Sequence, residues 1–94
     1  MSKSLISDER ACLICGMTYG LHRHHVFYGS ANRALSEKWG CWVYLCARHH
    51  NLSNKGVHYN KNLDLKLKQQ CQKAWEYQHG TRDEFKAIFG RSYL

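Results

Sequence analysis

Two short runs of β-branched and aromatic residues stand in the first half of the chain, and a longer run with helical spacing stands in the second. Residues 24–28 read His-His-Val-Phe-Tyr and residues 41–45 read Cys-Trp-Val-Tyr-Leu, the composition of strands, so two antiparallel strands are predicted there. The segment between them, residues 29–40, is too long for a tight hairpin and is predicted to hold a short helical turn at residues 34–38. After Cys46 a short helix is predicted over residues 49–55, stopping at Gly56, with residues 56–60 as a connector. Leu63, Leu67, Cys71, Ala74 and Trp75 recur at steps of three and four, which predicts an amphipathic helix over about residues 62–78 with one buried stripe. Lys61, Lys66, Lys68 and Lys73 belong to its other face. Thr81-Arg82-Asp83-Glu84 has the form of a capping box, and it opens a last helix in which Phe85, Ile88 and Phe89 face the core before Gly90 ends it. The polar residues 1–10 read as a frayed lead-in.

A chain of 94 residues makes one small domain, and at this size only about 60–65% of the unfolded surface is buried, so the core is thin unless something staples it. With 44% hydrophobic and 13% aromatic residues and no proline the chain reads as globular, and it has no internal repeat or low-complexity run. Apolar stretches such as Trp42-Val43-Tyr44-Leu45 are short and the N-terminus lacks the apolar core of a signal peptide, so an intracellular, cytoplasmic protein without membrane insertion is expected. Fourteen Lys and Arg against seven Asp and Glu give a net charge of +7 and a pI near 9.3. That balance suits a chain that meets phosphates, and equally a generally solvated basic surface. No basic amphipathic helix with a bulky apolar insertion face stands out.

The cysteines change this picture. Five is an odd number, and in a reducing compartment a Cys-x-x-Cys pair is more often metal-binding or catalytic than part of a disulfide framework. Cys12-x-x-Cys15, followed by Gly16, has its counterpart in Cys46-x-x-His49, and two short ligand pairs of this kind make a tetrahedral Cys3His zinc site. A closed four-ligand sphere is structural, contributing folding energy and leaving no position for substrate. The alternative, a thioredoxin-like redox pair, lacks the strand and helix context it requires. Cys71 lies on the apolar stripe of its helix and reads as core, whereas Cys41 opens a strand and serves either packing or as a spare thiol.

Taken together, Cys12-x-x-Cys15, His24-His25, Cys46-x-x-His49-His50 and Asn54 resemble the HNH (ββα-metal, His-Me finger) endonucleases over about residues 12–56, with residues 61–94 as a C-terminal helical extension. The resemblance implies an α+β fold with a zinc-stabilised ββα-metal core around one catalytic divalent cation. It makes His25 the general base and His24 a cation ligand where the family often has aspartate. His50, directly after the zinc knuckle, becomes a second ligand, and Asn54 a further ligand or a ligand to a metal-bound water. His58 is a further contact to metal or phosphate under this reading, while His22 and His79 read as surface residues.

The chemistry requires these residue types. Phosphodiester hydrolysis needs a water deprotonated near neutral pH, which an imidazole suits, and a Lewis acid for the charge on the phosphate and leaving oxygen. The cation implied is Mg2+, Mn2+, Ni2+ or Zn2+. Neighbouring strand residues point to opposite faces, so His24 and His25 serve one site only at an irregular strand end, which is the geometry assumed. The family's middle asparagine stands nine residues before the metal-binding histidine, where this chain has Cys41. In the family that residue braces the loop leading from the base, and Asn32 and Asn51 are the candidates to take its place here. The expected function is divalent-metal-dependent DNA endonuclease activity, with phosphate-backbone contacts and little reading of sequence. The competing class is a non-catalytic zinc-binding module for nucleic acid or protein partners, which has no need of His25. Residues 56–58 and 89–94 are similar to small phage-encoded HNH proteins, implying a phage or prophage origin.

Overall fold

The computed structural model describes residues 3–7, 9–29, 31–52 and 60–94. Their elements run β1 (Leu21–His25), α1 (Asn32–Trp39), β2 (Trp42–Cys46), a π-helical turn (Arg48–Leu52), α2 (Lys61–Gln78) and α3 (Arg82–Phe89). The architecture is a small α+β fold in which β1 and β2 form a two-stranded antiparallel sheet, and the core is shared between β2 with its flanking segments and the helices α2 and α3. The register pairs Leu21 with Cys46, His22 with Leu45, His24 with Val43 and His25 with Trp42.

β1 begins and ends three residues earlier than the sequence predicts. Val26 and Phe27 are consecutive and both fully buried, which a strand covered on one face cannot achieve because its side chains alternate. The backbone therefore leaves the ladder after His25. Val26 N–H donates to the Cys41 carbonyl at 2.8 Å, and Phe27 is clamped to α1 through Ser36, whose Oγ accepts from Phe27 N–H at 3.1 Å and donates to the Phe27 carbonyl at 2.6 Å. Ser36 is itself buried, so this pair satisfies polar groups that would otherwise lose solvent without compensation.

The connection between the strands holds a full eight-residue helix rather than one turn. Gly40 ends it with φ of 76°, its N–H donating to the Ser36 carbonyl. A Cβ at Gly40 would also collide with the Lys3 carbonyl, because the N-terminal segment crosses this corner. Leu5 N–H donates to the Gly40 carbonyl at 2.8 Å, and Leu5 and Ile6 pack against the core. Residues 3–7 are thus tied down, not frayed, because their two apolar residues find the α1–β2 corner.

The two C-terminal helices follow the predicted pattern. Asn60 caps α2 through its side-chain oxygen, 3.1 Å from Leu63 N, and Leu67, Cys71 and Trp75 form the buried stripe. Thr81 and Glu84 complete both halves of the capping box at 3.2 and 3.0 Å. Phe27 meets Phe85 and Phe89 with ring centroids 5.4 and 4.8 Å apart, and Trp75 meets Phe85 at 5.5 Å, an aromatic cluster that joins the segment after β1 to both helices. Buried Gln72 fastens the chain end over α2, accepting from Tyr93 N–H at 2.7 Å and donating to Ser92 Oγ at 2.9 Å. Cys41 and Cys71 are both fully buried and their thiols meet, so Cys41 is a packing residue. The contact with Cys41, together with burial, pushes the Cys71 thiol far up and keeps it protonated. Among the described residues no helix is long and apolar enough to cross a membrane.

Candidate functional site

Two groups of side chains meet at the end of the sheet. The first starts from the Cys12–Gly16 turn. Gly16, at φ of 79°, lets its N–H return to the Cys12 carbonyl at 2.8 Å, and Leu13 N–H docks the turn on β2 through the Tyr44 carbonyl at 2.9 Å. This brings Cys12 and Cys15 beside Cys46, the last residue of β2, and His49 in the π-helical turn. Cys15 Sγ lies 3.7 Å from Cys46 Sγ, and His49 Nδ1 lies 3.3 Å from Cys46 Sγ and 3.7 Å from Cys12 Sγ. All four donor atoms fall within 4.8 Å of one another. A tetrahedron with metal–sulfur bonds of about 2.3 Å and a metal–nitrogen bond of about 2.1 Å has edges of about 3.5–3.8 Å, so the four residues fit one ion with little adjustment.

The thiols are electrostatically prepared for it. Burial works against the Cys12 thiolate, but backbone hydrogen bonds from Cys46, Cys15 and Ile14 together outweigh it and hold the thiol down at about 6. Cys15 moves the opposite way. The Met17 backbone favours its thiolate, yet desolvation and the neighbouring Cys12 and Cys46 sulfurs prevail and push it up. Crowded sulfurs cannot all ionise without a cation between them, which is the electrostatic mark of a ligand set.

The second group lies on β1. The strand's period of two puts His22 and His24 on one face and Arg23 and His25 on the other. His24 is only 2% exposed, and its ring centroid is 5.2 Å from that of His50. His22 approaches the same residue more closely, with its Nδ1 2.9 Å from His50 Nδ1 and the rings 5.0 Å apart. His22 is therefore half-buried against the π-helical turn rather than a free surface residue.

On the opposite face His25 Nε2 lies 2.7 Å from Glu37 Oε2, and the other carboxylate oxygen pairs with the Arg23 guanidinium at 2.7 Å. A carboxylate only accepts, so Nε2 carries the proton and Nδ1 is left as the basic nitrogen of neutral His25. Arg23 is fixed in turn by the Trp42 ring, 3.7 Å beneath its guanidinium. His25 is the last paired residue of β1, and the regular register keeps it opposite in direction to His24. Both imidazoles nevertheless border one cleft of about 390 Å³, together with His50, Arg23, Arg33 and Tyr28. Beside it burial and the Asp64 charge push the Tyr28 phenol up against the opposing pull of Lys68. Lys68 pairs with Asp64 at 2.9 Å and sits 4.4 Å over the Tyr28 ring.

The structure thus brings Cys12, Cys15, Cys46 and His49 together, and separately gathers His24, His50 and, at the cleft, His25. Asn54 and His58 lie outside the described residues. The loop after His25 is held by Ser36 through Phe27, and the side chain of Asn51, one candidate for that role, lies outside the described residues. His22, Arg23 and Glu37 were missed. His22 carried a usable signal, since residues two apart on a strand share a face; Glu37 carried none, because its contact crosses a helix that the sequence shows only in part. Comparison of the chain with protein-family models, with curated proteins and with solved structures finds no match.

Proposed function

We propose that the chain is an HNH-type endonuclease that hydrolyses DNA phosphodiester bonds with a divalent cation. One observation carries the reading: His24 and His50, from separate elements, converge to 5.2 Å at a basic cleft that also holds His25, whose tautomer Glu37 fixes. The Cys12, Cys15, Cys46 and His49 cluster is then a structural zinc site. Its closed sphere anchors the π-helical turn and so sets where His50 stands.

In this mechanism His25 Nδ1 takes the proton from the attacking water, and Glu37 stabilises the imidazolium that results. Arg23 stays on Glu37 and keeps that carboxylate in place, while Arg33 offers a positive charge to a phosphate. His24 and His50 hold the cation, with Asn54 as the further ligand or water contact and His58 as an additional one. When bound, that cation supplies the Lewis acidity for the phosphate and the leaving oxygen. Mg2+, Mn2+, Ni2+ and Zn2+ all belong to the class that serves. DNA is the partner, met chiefly through its phosphates, and the setting is the cytoplasm of a bacterial host of a phage or prophage. Zinc-replete protein is expected to nick supercoiled plasmid when a divalent cation is added. His25→Ala should lower the rate by about 10²–10⁴-fold with the fold intact, the scale of a lost general base. Equal nicking by His25→Ala overturns the assignment.

A further inference from the structure

We propose that His22 is a third protein ligand to the cation that His24 and His50 hold, so that β1 and the π-helical turn form an imidazole cradle selective for transition-metal ions over Mg2+. The inference rests on the endonuclease reading for the other two ligands and adds a residue that this reading leaves unused.

His22 and His24 lie two apart on β1, opposite Leu45 and Val43, and so share one face beside the end of β2 from which the π-helical turn springs. His50 faces both, with ring centroids at 5.0 Å from His22 and 5.2 Å from His24. Two imidazoles bound to one ion through nitrogens at about 2.1 Å, at right-angled or tetrahedral geometry, have centroids about 4.5–5.3 Å apart. Their nitrogens are then about 3.0–3.4 Å apart, against the 2.9 Å between His22 Nδ1 and His50 Nδ1. The same spacing suits one imidazole N–H donating to the other, and with an ion held there that ring would carry its proton on Nε2 instead. Three neutral nitrogen donors favour the later first-row divalent ions, whereas Mg2+ prefers an octahedron of oxygens and keeps its waters.

The test is calorimetric titration of Ni2+ alone, and of Mg2+ alone, into zinc-replete protein without DNA. Wild type should take up one Ni2+ per chain beyond the zinc and bind Mg2+ far more weakly. His22→Ala, with unchanged zinc content and circular dichroism, should bind Ni2+ roughly 10- to 100-fold more weakly, while His79→Ala, altered in an exposed residue, should match wild type. Ni2+ binding by His22→Ala that equals wild type overturns the proposal. Should His22→Ala fail to fold, the wild type still decides. Long-range proton–nitrogen NMR should show a ring nitrogen of His22 shifted on addition of Cd2+, and an unmoved ring overturns the proposal. The two readings fail separately. His22-dependent Ni2+ binding by a protein that never nicks plasmid removes the endonuclease and leaves the cradle. His25-dependent nicking with His22-independent Ni2+ binding removes only the cradle, and a wild type that takes up no second ion removes both.

Discussion

His49 and His50 are neighbours in the chain and face different partners. His49 Nδ1 lies 3.3 Å from Cys46 Sγ, while His50 Nδ1 lies 2.9 Å from His22 Nδ1. Both stand on the π-helical turn Arg48–Leu52, where successive side chains point in different directions, so one imidazole reaches each group. Alanine at the two positions should therefore give different outcomes. His49→Ala is expected to lose tightly bound zinc and to unfold at much lower temperature, since zinc-site binding energy is folding energy. His50→Ala is expected to keep its zinc and its thermal midpoint to within a few degrees and to lose plasmid nicking. Zinc analysis, thermal denaturation and nicking on the same two preparations check this.

Glu37 joins His25 to Arg23, and its removal isolates positioning from chemistry. Glu37→Gln retains the size of the side chain but leaves one acceptor oxygen and no charge, so it cannot hold both the His25 tautomer and the Arg23 pairing. The expected loss in kcat is roughly 10- to 100-fold, the scale of outer-shell orienting partners. Ni2+ affinity, measured separately, should stay at the wild-type value. A variant that lost both in proportion would show that Glu37 supports the fold of the cleft instead.

Acid should release the metal of the cysteine cluster. Cys12, held at about 6 against an ordinary 9.0, is a thiolate at neutral pH and takes up a proton as the pH falls through about 6. Its folded value is depressed, so the stability it contributes to metal-free protein is fully present above the ordinary value and is lost as pH falls through the folded one. Proton competition at Cys12 should accordingly begin to weaken zinc affinity as the pH falls below about 6. In the metal-free protein, thiolate absorbance should show a step near pH 6 that Cys12→Ser abolishes.

The proposed phosphate contacts predict a salt dependence. Arg33 is exposed and lines the cleft, whereas Arg23 is engaged by Glu37 and Trp42. Binding of catalytically inactive His25→Ala protein to a duplex should weaken steeply with salt. Arg33→Ala should weaken it for all sequences alike and lower the slope of log affinity against log salt by about 1. A fluorescence-anisotropy titration at several ionic strengths measures both.

Where a local rule governed, the sequence was legible. The buried stripe Leu67, Cys71 and Trp75, the Thr81–Glu84 box and the Gly90 cap all depend on residues within a turn or two, and each stands where the pattern places it. The pairing of Cys12-x-x-Cys15 with Cys46-x-x-His49 was legible for a different reason, since ligand spacing constrains distant segments to one ion. Strand limits were not. Val26 and Phe27 have strand composition, but α1 and the helical core bury both, and tertiary burial prevailed over propensity. That slip hid His22, which enters β1 only once the strand begins at Leu21. The N-terminal segment reads as polar, yet Leu5 and Ile6 pack into the α1–β2 corner and Leu5 N–H donates to the Gly40 carbonyl, long-range contacts that local composition does not show.

The central claim, a cation-dependent phosphodiesterase site between β1 and the π-helical turn, is tested most directly by nicking of supercoiled plasmid under added Mn2+. Wild type, His24→Ala and His25→Ala should be compared at equal zinc content. Wild type should convert supercoiled to nicked plasmid, with a chelator abolishing the reaction. Both variants should be slowed by at least about 10²-fold, and only His24→Ala should bind the cation more weakly. Plasmid left intact by wild type under every divalent cation tried, or cut equally by all three proteins, would contradict the account.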